Sequence, residues 1–182
     1  MRLFVGIPLA QEVIDALERL VRSLRSEGDG LRWASPESWH ITLQFLGETS
    51  AEKHACVVAR LRDVRAPKVP VQLNGTGFFD RAGVLFAGVS VSAEMVELEK
   101  QVLAATAKCG FVAEDRPFHP HVTLARAKGD NRMPALRRLK QRAKKSVGFP
   151  AFTATEFRLY DAFLGAGGSR YEVRERFPLG DR

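Results

Sequence analysis

One short string occurs twice in this chain. His40-Ile41-Thr42-Leu43 is echoed, almost half the chain later, by His121-Val122-Thr123-Leu124. Each copy follows a helical stretch and lies in strand-like sequence. The repeat therefore predicts two similar halves, each contributing one strand to a shared site. Side chains two apart on a strand point the same way. His40 and Thr42 share one face while Ile41 and Leu43 face a core, and the same holds for His121 and Thr123 against Val122 and Leu124.

Two such strands facing each other supply two acid–base groups and two hydroxyl donors, a set that suits in-line displacement at phosphorus. One neutral histidine takes a proton from water, the other gives a proton to the leaving oxygen, and the threonines bond the non-bridging oxygens. Histidine fits both roles because it titrates near neutral pH. No metal and no cofactor is needed for this chemistry. A single H-x-T would say little, but two of the four histidines occupy equivalent positions. A second reading stays open. His119 and His121 form H-x-H and, with His40, could assemble a three-histidine zinc site, Pro120 keeping the backbone extended. Against it, no carboxylate or cysteine in a metal-ligand pattern lies nearby, and the threonines would have no role. His54, in a helical stretch with no partner in sequence, is expected at the surface.

The intervening sequence predicts an α+β domain with largely antiparallel pairing. Arg2–Pro8 reads as a strand. Val13, Ile14, Leu17, Leu20, Val21 and Leu24 mark the apolar stripe of a helix over about Ala10–Ser26, which Gly28 and Gly30 end. Leu31–Trp33 is a short extended piece, and Ser38–Leu46 a strand closed by Gly47. Ser50 can cap a helix to about Arg65, stopped by Pro67 and Pro70. Val69–Phe79 and Val84–Val91 form a hairpin about Asp80–Gly83. Ser92 can cap a helix over Ala93–Lys108, and Gly110 sits at its end. Phe118–Ala125 is a strand, Pro134–Lys145 a helix, and Phe152–Leu164 with Arg170–Phe177 a second hairpin.

Between Arg126 and Ser146 stand nine basic residues with Asp130 the only acid, so the net +7 of the chain is a local excess. That stretch suggests a polyanionic partner such as nucleic acid, or simply a solvated helix face. A basic RNA-binding module without turnover, its histidines only contacting phosphate, is thus the alternative function class. No apolar run approaches the roughly 20 residues of a membrane span, and the opening MRLFVGIPLAQEV turns polar too soon for a secretory leader. Cys56 and Cys109 do not make a disulfide framework, and a reduced cytosol is expected. Walker-type phosphate loops, nucleophile elbows and C-x-x-C pairs are absent from the sequence.

The paired H-x-T-L strings resemble those of the 2H phosphoesterase superfamily. Their surroundings (MRLFVGIPL, LRWASPESWHITLQFLGE, FHPHVTLAR and LYDAFLGAGGSRYEV) are similar to its RNA 2′,3′-cyclic phosphodiesterase branch, also called 2′-5′ RNA ligase-like proteins. The resemblance spans nearly the whole chain. It implies one bilobal domain over residues 1–182, two pseudo-symmetric lobes each with an antiparallel sheet flanked by helices, and a central cleft carrying the two motifs. It implies an RNA substrate with a 2′,3′-cyclic phosphate end, opened to a 2′-phosphate, and reverse 2′-5′ joining without ATP. His40 would protonate the departing 3′ oxygen, His121 would activate water, and Thr42 and Thr123 would hold the phosphate. Arg126 would contact phosphate or base. Because it lies an odd five residues beyond His121, it reaches the cleft only if the strand ends or bulges near Ala125. Phe45 could stack a base or pack in the core with Leu43. Tyr171 could line the site or pair across its hairpin, and Trp33 and Trp39 are candidates for the cleft rim or for packing. The protein is expected to be a cytoplasmic monomer with no obligate protein partner.

Overall fold

The computed structural model describes residues 1–127, 129, 132–143, 148–165 and 168–180. Its elements run β1 (Arg2–Pro8), α1 (Gln11–Leu24), β2 (Leu31–Trp33), a 3-10 turn (Pro36–Ser38), β3 (His40–Glu48), α2 (Ala51–Leu61), β4 (Val69–Val71), β5 (Leu73–Phe79) and β6 (Val84–Val89). They continue with α3 (Ala93–Ala107), β7 (His121–Ala127), α4 (Arg132–Arg142), β8 (Phe152–Ala154), β9 (Glu156–Gly165) and β10 (Gly168–Pro178). Two four-stranded sheets result, ordered β10-β9-β1-β3 and β2-β7-β6-β5, with a small β4-β8 pair beside them. The paired strands are antiparallel. The α+β, two-lobed architecture expected from the sequence is the one found.

Local chemistry explains the helices. Val13, Ala16, Leu17, Leu20 and Leu24 are the buried stripe of α1, at helical spacing. Ser50 and Ser92 cap α2 and α3 as expected, each hydroxyl accepting from the backbone N–H three residues on, a contact typically worth about 1 kcal/mol. Apolar residues from both sheets and from the helices merge into one core, which includes Leu17, Ile41, Leu98, Leu124 and Phe157.

Several expectations are corrected. The strand expected over Val69–Phe79 is two, because Val69–Val71 pairs with β8 while Leu73–Phe79 pairs with β6. The stretch expected from Phe152 likewise divides at Thr155 into β8 and β9. The β7 strand starts at His121 rather than Phe118; Pro120 just before it has no N–H to give a ladder. The basic helix begins at Arg132, with Pro134 in its first turn, where a missing N–H costs nothing. Lys144 and Lys145 lie outside the described residues. His54 is half-buried on α2, and its Nε2 is buried with no hydrogen-bond partner among the described residues.

Cys56 and Cys109 are joined in a disulfide, their Cα atoms 5.9 Å apart. Counting cysteines could not show this; it follows from α2 packing beside α3. Closing a loop of 53 residues stabilises a fold by about 4 kcal/mol on the chain-entropy account.

Candidate active site

The two H-x-T strands meet where the lobes meet: β3 is the edge of one sheet and contacts β7 of the other. Both strands carry a bulge at the same place. Gly6 pairs with Thr42 and Val5 with Gln44, which leaves Leu43 as the extra residue. Phe86 pairs with Thr123 and Leu85 with Ala125, which leaves Leu124. The Leu124 carbonyl is then taken by the Ala34 N–H at 2.8 Å. One extra residue inverts the alternation that follows it. The consecutive pairs Leu43–Gln44 and Leu124–Ala125 are buried, and residues 45 and 126 turn out to the face of the histidines.

Arg126 therefore enters the cleft by the bulge that its odd offset demanded. Phe45, which the plain alternation would have sent toward the core with Leu43, is 60% exposed and lines the cleft. Thr42, Thr123, His40, His121 and Tyr171 line it too, so all seven expected site residues come together. Tyr171 sits on β10 opposite Ala162 and presents its edge to the His40 ring at 5.0 Å. Trp39 is buried, whereas Trp33 lines the cleft and donates from Nε1 to Asp29 at 2.8 Å.

The histidines are held alike. His40 Nδ1 lies 2.7 Å from the Ser38 carbonyl oxygen, and His121 Nδ1 lies 2.7 Å from that of His119. A carbonyl only accepts, so Nδ1 is the protonated nitrogen in both rings and Nε2 is left for chemistry. Close approach is built into the backbone. A Cβ on Gly6 would lie 2.8 Å from the Ile41 oxygen and 3.5 Å from His40 Cδ2. His40 is packed against Phe4, Tyr160 and Tyr171. Burial pushes its pKa down to about 4; the Ser38 bond opposes this and the charge of His121 adds to it. Burial also lowers His121, against the bond to His119, with His119 and Arg126 lowering it further. Phe79 and Phe86 wall that ring in. These aromatic walls were missed from the sequence, where phenylalanine in a strand is indistinguishable from core. His119 is exposed beside His121, ring centroids 6.2 Å apart. Among the described residues no three His, Cys, Asp or Glu side chains group as metal ligands, so the three-histidine alternative is not assembled.

Two antiparallel lobes with a bulged H-x-T strand from each, imidazoles fixed through Nδ1 and hydroxyls alongside, define the class of two-histidine phosphoesterase folds. The chain belongs to the 2′-5′ RNA ligase superfamily, whose model matches residues 11–162. It is 33% identical to an RNA 2′,3′-cyclic phosphodiesterase of Aeropyrum pernix over 88% of this chain and 93% of that one. It is 28% identical to the enzyme of that name from Escherichia coli K12, over 98% and 96%. Crystal structures of E. coli LigT, in apo form and complexed with 3′-AMP, superpose with TM-scores of 0.80 and 0.79. Each is 27% identical and covers 99% of this chain and 98% of the other.

Proposed function

We propose that the chain is an RNA 2′,3′-cyclic phosphodiesterase that opens cyclic phosphate ends to 2′-phosphates by paired-histidine catalysis, as one bilobal domain over residues 1–182. The observation that carries this reading is the matched pair of imidazoles, each tied through Nδ1 to a backbone carbonyl and each with Nε2 unbonded among the described residues, on two bulged strands lining one cleft. A relative of the same fold, E. coli LigT, binds 3′-AMP, which supports a nucleotide as ligand.

In this mechanism water attacks phosphorus while His121 Nε2 takes its proton. The P–O3′ bond breaks, and His40 Nε2 gives a proton to O3′. One proton is taken and one delivered, leaving a 2′-phosphate and a free 3′-hydroxyl. Each proton transfer is worth roughly 10²–10⁴ in rate. The Thr42 and Thr123 hydroxyls donate to the non-bridging oxygens, Arg126 neutralises charge, Phe45 flanks the nucleoside, and Tyr171 lines the narrow side of the cleft beside His40. His40 is the more strongly depressed base, so it holds the acid proton only with the phosphate's negative charge beside it. With a 5′-hydroxyl in place of water as the nucleophile, the same steps break the P–O3′ bond and leave a 2′-5′ linkage and a free 3′-hydroxyl.

Turnover of a nucleoside 2′,3′-cyclic phosphate in the presence of EDTA, with phosphorus NMR of the product, tests the reading. Full loss in chelator restored by zinc would defeat it, and a 3′-phosphate product would reverse the leaving oxygen. No helix among the described residues is long and apolar enough to cross a membrane. We read the enzyme as a cytoplasmic monomer, although a Cys56–Cys109 bridge belongs more naturally to oxidising surroundings. Light scattering and cell fractionation check both points.

A further inference from the structure

The cleft has two unequal arms that share Thr42, Phe45, His121, Thr123 and Arg126. The arm beside His40 and Tyr171 encloses about 190 Å³, and the arm floored by Leu43 and Gln44 about 670 Å³. Small-molecule sites occupy roughly 300–1,000 Å³, so only the wide arm takes a base with its sugar. Three carboxylates line that arm: Asp80, Glu99 and Glu114. Asp80 is paired with Lys140 at 2.6 Å and Glu114 with Arg116 at 3.3 Å. Glu99 has no ion pair or side-chain hydrogen bond among the described residues. It is half-buried, and burial raises its pKa, with the charge of Lys100 only partly opposing.

Helix α3 aims Glu99 deliberately. Glu99, Leu103 and Thr106 are spaced by four and three and share one face. Thr106 docks on Gln44 at 2.7 Å, next to Phe45 in the chain, and Leu103 lines the arm. Glu99 thus stands about two helical turns, roughly 10 Å along the axis, from Thr106, and lines the same arm as Phe45. In a cleft built for phosphate, an unpaired carboxylate repels the ligand and loses hydration. It fits a ligand that also brings hydrogen-bond donors. Single-stranded RNA bases are read by stacking and by hydrogen bonds to their Watson–Crick edges. Guanine alone presents two adjacent donors there, N1–H and N2–H, matched to the two oxygens of one carboxylate. Uracil presents one donor between two carbonyls that a carboxylate repels.

We propose that Glu99 reads the Watson–Crick edge of the base carrying the cyclic phosphate, and that the base it selects is guanine. The proposal rests on the phosphodiesterase reading and extends it to substrate choice.

The test compares kcat/KM for guanosine and uridine 2′,3′-cyclic phosphates in wild type, Glu99→Gln and Glu114→Gln. Binding of guanosine and uridine 2′-monophosphates by calorimetry runs alongside. A good bidentate contact is worth about tenfold or more. Wild type should favour guanosine at least tenfold. Glu99→Gln, which keeps the size and replaces an acceptor with a donor, should bring the ratio within about threefold, chiefly through KM. Glu114→Gln should keep the wild-type ratio. No guanosine preference in wild type, or one that survives Glu99→Gln, overturns the proposal. Absent turnover with a Glu99-dependent binding preference would instead sink the phosphodiesterase reading and leave this one standing.

Discussion

The strands β3 and β7 are the same device used twice, and they diverge in the residues that follow the shared bulge. Both hold an imidazole by a 2.7 Å bond to a carbonyl two residues back. Both bulge at the leucine after the threonine. The residue turned outward by the bulge is Phe45 in one and Arg126 in the other, a stacking surface against a charge. The buried residue before it is Gln44, bonded to α3, against Ala125. On the proposed reading the repeated backbone would supply the reaction, and the single position after each bulge would separate base from phosphate.

The largest test of that equivalence is to remove each imidazole. His40→Ala and His121→Ala should each lower kcat by about 10² or more, with the double variant far from additive because the pair acts as one unit. Thr42→Ala and Thr123→Ala should cost less. A folded single-histidine variant with near-normal turnover would break the two-histidine assignment.

Acidity separates the two rings. The working enzyme needs one proton on the pair, and kcat/KM reports the free protein. There, both histidines are lowered from 6.5, His40 to about 4. The singly protonated pair is most populated above the His40 value and below the lowered pKa of His121. A bell with its maximum on the acid side of 6.5 is expected, falling about tenfold per pH unit above it as the proton is lost. Below about 4 the second ring charges and the base disappears. The kcat bell should lie higher, since bound phosphate raises both rings. A kcat/KM maximum at or above pH 7 would contradict the burial argument.

The residues after the bulges should diverge in kind. Arg126→Ala is expected to raise KM about tenfold with a smaller fall in kcat, because a guanidinium clamp acts on ground and transition states alike. Phe45→Ala should raise KM by a comparable factor, stacking being worth about 1–3 kcal/mol per base. Added salt should weaken wild-type binding and lose most of that effect in Arg126→Ala but not in Phe45→Ala. Equal salt dependence in both would erase the proposed division.

Much of this was legible because periodicity and repetition are written into the sequence. The α1 stripe, the caps at Ser50 and Ser92 and the facing of His40 with Thr42 follow from spacing alone. The offset of Arg126 even required a bulge. What escaped was tertiary. The same offset at Phe45 was compatible with core packing, and only the bulge at Leu43 decides it. The Cys56–Cys109 bridge depends on how α2 lies on α3. Glu99 carries no signal in the sequence; only the packing of α3 beside the cleft singles it out.

The smallest effect concerns the support beneath Phe45. Gln44 is buried, its Oε1 accepts from Thr106 at 2.7 Å, and its Nε2 has no partner among the described residues. Thr106→Val keeps the shape and deletes the donor, leaving the whole amide unsatisfied at a cost of about 1–3 kcal/mol. Denaturant unfolding should show that loss. If the bond also fixes the β3 bulge, KM should rise a few-fold through Phe45 while kcat holds, since the imidazoles are anchored elsewhere. The salt dependence assigned to Arg126 should not change, because β7 has alanine at the matching place and nothing there to unpair. A loss of stability without a KM change would leave Gln44 and Thr106 holding the fold, and the bulge standing on its backbone pairing alone.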